Sequence, residues 1–347
     1  MDASLSRLLS FFWDGEVAWS SLAQSDLEFW LQVDFASLCS PISADTFEAA
    51  MDAVHLDPTA FAVDRISFLA SDASDTACGG GLVRVKNGQF QFAQKKSFFS
   101  NLPRSIRDES STLREMTAIW WMLLSFKELR GRRVVVFTDS RSARDALRSG
   151  SKRAKLQKIA RAVFIWCIQH GVILCPCWLS RDEPIMVNAD ARSRWHDKHG
   201  ERTPAAVFLE AQRMATSIWG RALSFDRMAT HLNAMPPPGM GPRLPFYSFW
   251  NQPGCAGVDV FSQPISAWRG HISFVHPPAP LTGRVVSFLQ STRARSVIVV
   301  PDKLARSGWW SQWLRRGGPG VRAVSLVHGF RVVAVDHRIG ATPEGRP

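Results

Sequence analysis

Four carboxylates set at wide intervals are the residues of this chain best placed to do chemistry. They are Asp72 in Ser71-Asp72-Ala73-Ser74-Asp75, Glu115 in Leu113-Arg114-Glu115-Met116, Asp139 in Phe137-Thr138-Asp139-Ser140, and Asp190 in Asn188-Ala189-Asp190-Ala191. Each stands where an element is expected to begin or end, beside a run apolar enough to be buried. Oxygen ligands on rigid elements suit a hard divalent cation. Two such ions held together can stabilise both the attacking and the departing oxygen of a phosphoryl displacement. The spacings are 43, 24 and 51 residues, so only a folded scaffold can gather the four groups.

The rest of the composition narrows the setting. A chain of 347 residues suits two domains, and 46% hydrophobic residues supply real cores and exclude disorder. The formal net charge of +12 fits a polyanionic partner, and an acidic pocket inside a cationic chain points to a nuclease. Basic residues concentrate at Arg130, Arg132 and Arg133, and again at Arg148, Lys152, Arg153, Lys155, Lys158 and Arg161. Of these, Arg132, Arg133, Lys152, Arg153, Lys155 and Lys158 are the candidates for phosphate contacts; the competing reading for each is a solvated surface charge. The six cysteines show no secreted disulfide spacing. With no signal peptide visible, reduced thiols in an intracellular protein of nucleus or cytoplasm are expected. Cys175-Pro176-Cys177 reads as a buried strand end rather than half a zinc site. No apolar run reaches the length of a membrane span, so no membrane partner is expected.

The elements that must position the carboxylates follow from periodicity. Residues 1–62 read as amphipathic helices. Ile66–Ala70 is a strand ending at Asp72, Leu82–Val85 a second, and Asn87-Gly88 a hairpin turn into a third at Gln89–Ala93. Met116, Ile119, Trp120, Leu123 and Leu124 form one helical stripe, with Ser111 or Thr112 as its cap. Arg133–Thr138 is a buried strand terminating at Asp139. Helices follow at Ser140–Leu147 and Leu156–His170, then a strand at Val172–Cys175. A loop through Asp182-Glu183-Pro184 leads to a last helix at Asn188–Trp195. The order β-β-β-α-β-α-α-β-α describes a mixed sheet flanked by helices. Beyond it, a helix after Pro204 and strand-like runs at Gly257–Phe261, His271–Val275, Ser296–Val300 and Val321–Val335 indicate a second α/β domain. Among rival carboxylates, Asp75 competes with Asp72 but fits a turn better. Glu109, Asp145, Asp182 and Glu183 read as surface charges, and Asp190 alone would serve equally well as helix decoration.

Taken together, the four segments resemble type 1 ribonuclease H, and their wording is closer still to the ribonuclease H of DIRS-type retroelement reverse transcriptases. Ser71–Gly80 resembles that family's T-D-A-S-D-x-G-W-G-A, Leu113–Ala118 its E-L-x-A segment, Thr138-Asp139-Ser140 its T-D-N or T-D-S, and Ala189–Arg194 its A-D-x-L-S-R. The resemblance covers residues 64–196. It implies a ribonuclease H-like mixed five-stranded sheet and hydrolysis of RNA in RNA/DNA hybrids with two Mg²⁺ ions, Mn²⁺ being the alternative. Asp72, Glu115, Asp139 and Asp190 would be both catalytic and metal-holding. The family's loop histidine is missing here, Met186 stands at its usual Asn, and His196 and His199 are the nearby substitutes. The resulting division is a helical connector over 1–62 (a reverse transcriptase remnant), a ribonuclease H-like domain over 63–198, an α/β domain over 199–340 and a tail over 341–347. Phe225–Asn233 resembles D-x-F-A-T-H-L-N of the same elements, and His276-Pro277-Pro278-Ala279 resembles the D-P-P-Y of phage-type adenine N6-methyltransferases with both chemical positions replaced. A polymerase motif is absent, so any reverse transcriptase partner would be another chain. The alternative function is a nucleic-acid-binding remnant without catalysis; adenine methylation by the second domain is a third.

Overall fold

A computed structural model describes residues 66–86, 89–195, 202–236, 239–306, 308, 310–314 and 318–337. The expected connector, the tail, and both His196 and His199 lie outside these residues. Apart from residues 152–154, the described residues belong to one compact unit, Phe61–Ser151 with Lys155–Pro347. Among the described residues no helix is long and apolar enough to cross a membrane.

The first half of this unit is β1 (Ile66–Ala73), β2 (Ala77–Lys86), β3 (Gln89–Asn101), α1 (Arg104–Arg107), α2 (Ser111–Ser125), β4 (Arg133–Thr138), α3 (Arg141–Ser149), α4 (Ala154–Gln169), β5 (Ile173–Trp178) and α5 (Pro184–Ser193). The strands form one mixed sheet in the order β3-β2-β1-β4-β5. β1 runs antiparallel to β2 and parallel to β4, and β4 runs parallel to β5. The mixed five-stranded sheet flanked by helices is thus the one the sequence implied.

Three local features depart from expectation. β3 continues to Asn101 instead of stopping at Ala93, because its pairing with β2 jumps from Val83↔Phe92 to Gly81↔Ser97 across a bulge. Lys95 adopts a positive φ of 59° inside that bulge, and the alternation of apolar residues breaks there, which hides the strand's second half. The last helix, α5, begins at Pro184, not at Asn188. Proline fits the first helical turn, where its missing N–H has no partner to lose, so Met186 is a buried helical residue, not a loop position. For α2 the cap is Ser110, whose Oγ accepts the Leu113 N–H at 3.3 Å.

Packing against the sheet fixes the elements that carry carboxylates. Ile119, Met122 and Leu123 of α2 are fully buried against Leu69, Val134 and Val136. Each such side chain contributes roughly 1.5–3 kcal/mol of burial. The opposite face holds Phe68, Phe90 and Phe137, with ring centroids 5.0–6.0 Å apart. Helix α5 comes so close to β2 that a Cβ on Gly79 would lie 2.2 Å from the Ser193 backbone nitrogen. No other residue fits at that crossing.

The second half comprises α6 (Ala205–Trp219), β6 (Phe225–Asp226), β7 (Tyr247–Ser248), β8 (Gly257–Val258), α7 (Ile265–Arg269), β9 (Ile272–Val275), α8 (Thr282–Thr292), β10 (Arg295–Pro301), α9 (Trp310–Trp313), β11 (Val321–Val327) and β12 (Phe330–Asp336). Its sheet order is β11-β12-β10-β9-β6. Alternate residues face opposite layers: Ile272, Phe274, Val297 and Val299 pack on α6, while Val275, Ile298 and Val300 join the cluster containing α7, α8 and Trp313. This is the expected second α/β region. The strand expected over Gly257–Phe261 is only two residues long, because Asp259 turns at φ 53° into a 3₁₀ turn at Val260–Ser262. Met235, at the head of a Pro- and Gly-rich segment, is buried and donates its N–H to Asp226.

One segment of the second half reaches the free edge of β3. Asn251 donates its backbone N–H to Ser97 O at 3.2 Å and its Nδ2 to Lys95 O and Ser97 O. Gln252 donates Nε2 to Phe99 O at 2.9 Å. The His231 ring also stands edge-on to Trp121 of α2 at 4.6 Å. We expect Gly79→Ala to lower stability by at least about 1–3 kcal/mol through overpacking, read as a drop in the urea midpoint. An unchanged midpoint would contradict the close crossing of α5 over β2.

Candidate metal centre

Strand register sets the first two carboxylates side by side. β1 and β4 pair as Leu69↔Val136 and Ala70↔Phe137; continuing that register two residues places Asp72 beside Asp139. Phe68 and Phe137 stack on one face, and strand alternation carries Asp72 and Asp139 onto that same face. Glu115 arrives from α2 on the other side and reaches over the end of β1, where its Oε1 accepts the Ala73 N–H at 3.0 Å. The result is a cluster of Asp72, Glu115 and Asp139 in which ligand oxygens lie within 4.8 Å of one another.

This cluster is electrostatically costly as it stands. Asp72 is only 3% exposed and Glu115 5%. Burial, reinforced by Asp139 and Asp190 and opposed by the Ser193 hydrogen bond, pushes the Asp72 carboxyl up to about 6. Burial and then the charges of Asp72 and Asp139 push Glu115 well above the ordinary carboxylate value. The Glu115 Oε2 is buried with no hydrogen-bond partner. An unpartnered acceptor oxygen amid repelling carboxylates is the donor set a hard divalent cation requires.

Asp190 sits apart from the three. It lies on α5, close enough to raise Asp72 electrostatically, but both its oxygens accept from Arg194, Oδ2 from Nε at 2.7 Å and Oδ1 from Nη2 at 2.8 Å. That fork holds its carboxyl below the usual value. Of the rival carboxylates, Asp75 is exposed and paired with Arg114 at 2.6 Å, Asp145 pairs with Arg144, and Glu109 pairs with Lys155.

Three residues that matter to this geometry were not singled out from the sequence. Ser193 donates its Oγ to Asp72 Oδ2 at 2.5 Å and ties α5 to β1. The only available signal was its position three residues after Asp190, on the same helical face. Arg194 was visible only as the close of the Ala189–Arg194 segment. Arg181, in the loop after β5, places Nε and Nη2 each 2.7 Å from Asp139 Oδ2. Nothing in its local wording marks it out.

The basic candidates divide by position. Arg132 and Arg133 are half-buried just before and at the start of β4, seven and six residues from Asp139 and so roughly 20 Å along the strand. Lys152, Arg153, Lys155 and Lys158 are exposed at and just before the start of α4, Lys155 being paired with Glu109. Cys175 is buried and Cys177 half-buried on β5, both as free thiols, and among the described residues the acidic trio is the one group with metal-ligand spacing.

No protein-family model matches the chain, and no curated protein matches it. Among solved structures it is similar to ribonuclease H1 of the halophilic archaeon Halobacterium salinarum, at 15% identity over 37% of this chain and 93% of that one, with a TM-score of 0.30. It is also similar to LC11-RNase H1, isolated from compost by metagenomics, at 14% identity over 36% and 89% of the two chains and a TM-score of 0.27. A second structure of that enzyme, in complex with an RNA/DNA hybrid, aligns at 14% identity over 37% and 91%, with a TM-score of 0.28.

The raised pKa values give a definite sign. A carboxyl whose folded pKa lies above its unfolded value stabilises the fold fully below the unfolded value, 3.8 for Asp72, and that contribution is lost as pH rises through about 6. At pH 8 without divalent ions, Glu115→Gln should therefore raise the melting temperature by roughly 2–6 °C, since the repulsion disappears while the Ala73 hydrogen bond can persist. In calorimetry, Mn²⁺ uptake by the wild type should weaken as pH falls through about 6 and should release protons near that pH. A lower melting temperature for the variant, with uptake independent of pH, would contradict this electrostatic picture.

Proposed function

We propose that this chain is a divalent-metal-dependent endonuclease that hydrolyses the RNA strand of RNA/DNA hybrids, related to the ribonuclease H of DIRS-type retroelements. One observation carries the reading: Asp72, Glu115 and Asp139, far apart in sequence, present oxygens within 4.8 Å of one another at the ends of β1 and β4. The four sequence segments and the mixed sheet order agree with it.

In this reading Asp72, Glu115 and Asp139 would hold the divalent ions with Asp190 as a further ligand, and Glu115 would also contact the RNA strand. When bound, such ions would supply activation of the attacking water and stabilisation of the departing 3′ oxygen. In the net reaction water adds across the P–O3′ bond: its oxygen ends on phosphorus as part of a 5′-phosphate, and a proton it gives up, passed through solvent, ends on the 3′ oxygen as a hydroxyl. The chain's own contribution is positional. The Ala73 N–H and the Ser193 hydroxyl aim Glu115 and Asp72, and the β1–β4 register keeps the aspartates adjacent. The exposed lysines and arginines about the start of α4 would hold the phosphate backbone, and selection of RNA would rest on reading 2′-hydroxyls across a shallow minor groove. Magnesium fits because every candidate ligand is an oxygen.

A second reading, a nucleic-acid-binding remnant without hydrolysis, is favoured by the Arg194 fork that occupies both oxygens of Asp190. We assign no methyl transfer to the 199–340 region. At its methyltransferase-like segment the His276 ring is bonded to Thr203 at 2.7 Å, and Ala279 offers no aromatic face for a base.

A gel assay on RNA/DNA hybrid, duplex DNA and duplex RNA, with and without Mg²⁺, separates the readings. Hybrid cleavage that requires Mg²⁺ is expected, and Asp72→Asn or Asp139→Asn should each reduce it by about 10²–10³-fold or more. Salt-sensitive binding without cleavage at any Mg²⁺ or Mn²⁺ concentration would establish the remnant instead.

A further inference from the structure

We propose that Arg181 is an exchangeable counter-ion: it neutralises Asp139 in the metal-free protein and turns to the substrate's phosphodiester when divalent ions take its place. The inference rests on the nuclease reading and deepens it by giving a protein cation beside the carboxylates a role toward the substrate.

The geometry sets Arg181 apart from the other arginine at the site. Its Nε and Nη2 both approach the same oxygen, Asp139 Oδ2, at 2.7 Å, whereas Arg194 forks across both oxygens of Asp190 from one turn along the same helix. Two donors crowded on one oxygen form a poorer match than a two-oxygen fork. They also neutralise a carboxylate that a cation at the trio would need. The Arg181 side chain is 72% exposed while that of Asp139 is 8% exposed, so the guanidinium covers the carboxylate from the solvent side.

Its backbone, by contrast, is fixed. Leu179 N–H is donated to Thr138 O at 3.0 Å, Glu183 N–H to Ser180 O at 3.1 Å, and Trp178 Nε1 to Asp139 O at 3.0 Å. The loop root is thus pinned to the same segment that carries Asp139. The long exposed stem can rotate to a new partner within a few ångströms without moving the loop. The charge acts across the site: Arg181 slightly opposes the upward push of burial on Asp72 and Glu115 and adds to the lowering that Arg194 imposes on Asp190. Metal ions and this guanidinium therefore compete for one patch of negative charge. Once released, the guanidinium is already at the mouth of the site, where a scissile phosphate would bring the anionic oxygens it binds well.

The test uses the full chain with Arg181→Ala and Arg181→Lys. Mn²⁺ binding to the protein alone is measured by calorimetry at pH 8, and cleavage of an RNA/DNA hybrid is measured at saturating Mg²⁺. Arg181→Ala should bind Mn²⁺ about tenfold more tightly, since a competing cation is gone. It should nevertheless cleave about a hundredfold more slowly in kcat with little change in KM. Arg181→Lys should restore wild-type Mn²⁺ affinity and recover part of kcat. Equal or weaker Mn²⁺ affinity in Arg181→Ala overturns the counter-ion role, and an unchanged kcat overturns the phosphate role. If the wild type binds no Mn²⁺ at all, the nuclease reading falls as well; normal binding and cleavage that ignore Arg181 sink only the present inference.

Discussion

Like charges held together in a nearly dry place are the constraint around which the first half of this chain is organised. Asp72 and Glu115 are almost fully enclosed and repel each other and Asp139. A scaffold that left those side chains loose would let them swing apart into water. The strand register, the Glu115 bond to the end of β1 and the Ser193 bond to Asp72 each remove that escape. The hydrophobic packing of α2 supplies the stability that the arrangement consumes. The site is therefore poorest in free energy where the surrounding packing is densest, the usual relation between a preorganised charged site and its support.

How much of this was legible from sequence depends on the range of the interaction. Local patterns exposed Asp72 and Asp139, because a short apolar run that stops near an acid reads as a strand end whatever lies around it. Glu115 was visible because the α2 stripe is regular, even though its cap proved to be Ser110 rather than Ser111 or Thr112. The start of α5 was missed because a Pro after two charged residues resembles a loop, and the second half of β3 because a bulge destroys alternation. Ser193, Gly79 and Arg181 act only across the fold, against partners 40 to 120 residues away. No local wording announces such pairings.

Charge balance at the site is settled by single arginines rather than by the chain's overall excess. Asp139 and Asp190 each have a dedicated guanidinium, while Asp72 and Glu115 have hydrogen-bond donors instead. The carboxyl of Asp190 is thereby held below its usual value, while burial pushes those of Asp72 and Glu115 upward. That division follows the partners within reach: a carboxylate beside a flexible arginine shares its charge with it, and one enclosed by packed elements must find a fixed donor or a proton.

The contact made by Asn251 and Gln252 has a consequence for how the chain avoids self-association. β3 is an outer strand of the first sheet, thirteen residues long, and an outer strand of that length is an open template for pairing with a second molecule. Backbone and side-chain amides from the second half occupy its carbonyls at Lys95, Ser97 and Phe99. The distal α/β region thus works as a stopper on the sheet, and a fragment ending after α5 would bare a sticky rim prone to fibril-like stacking.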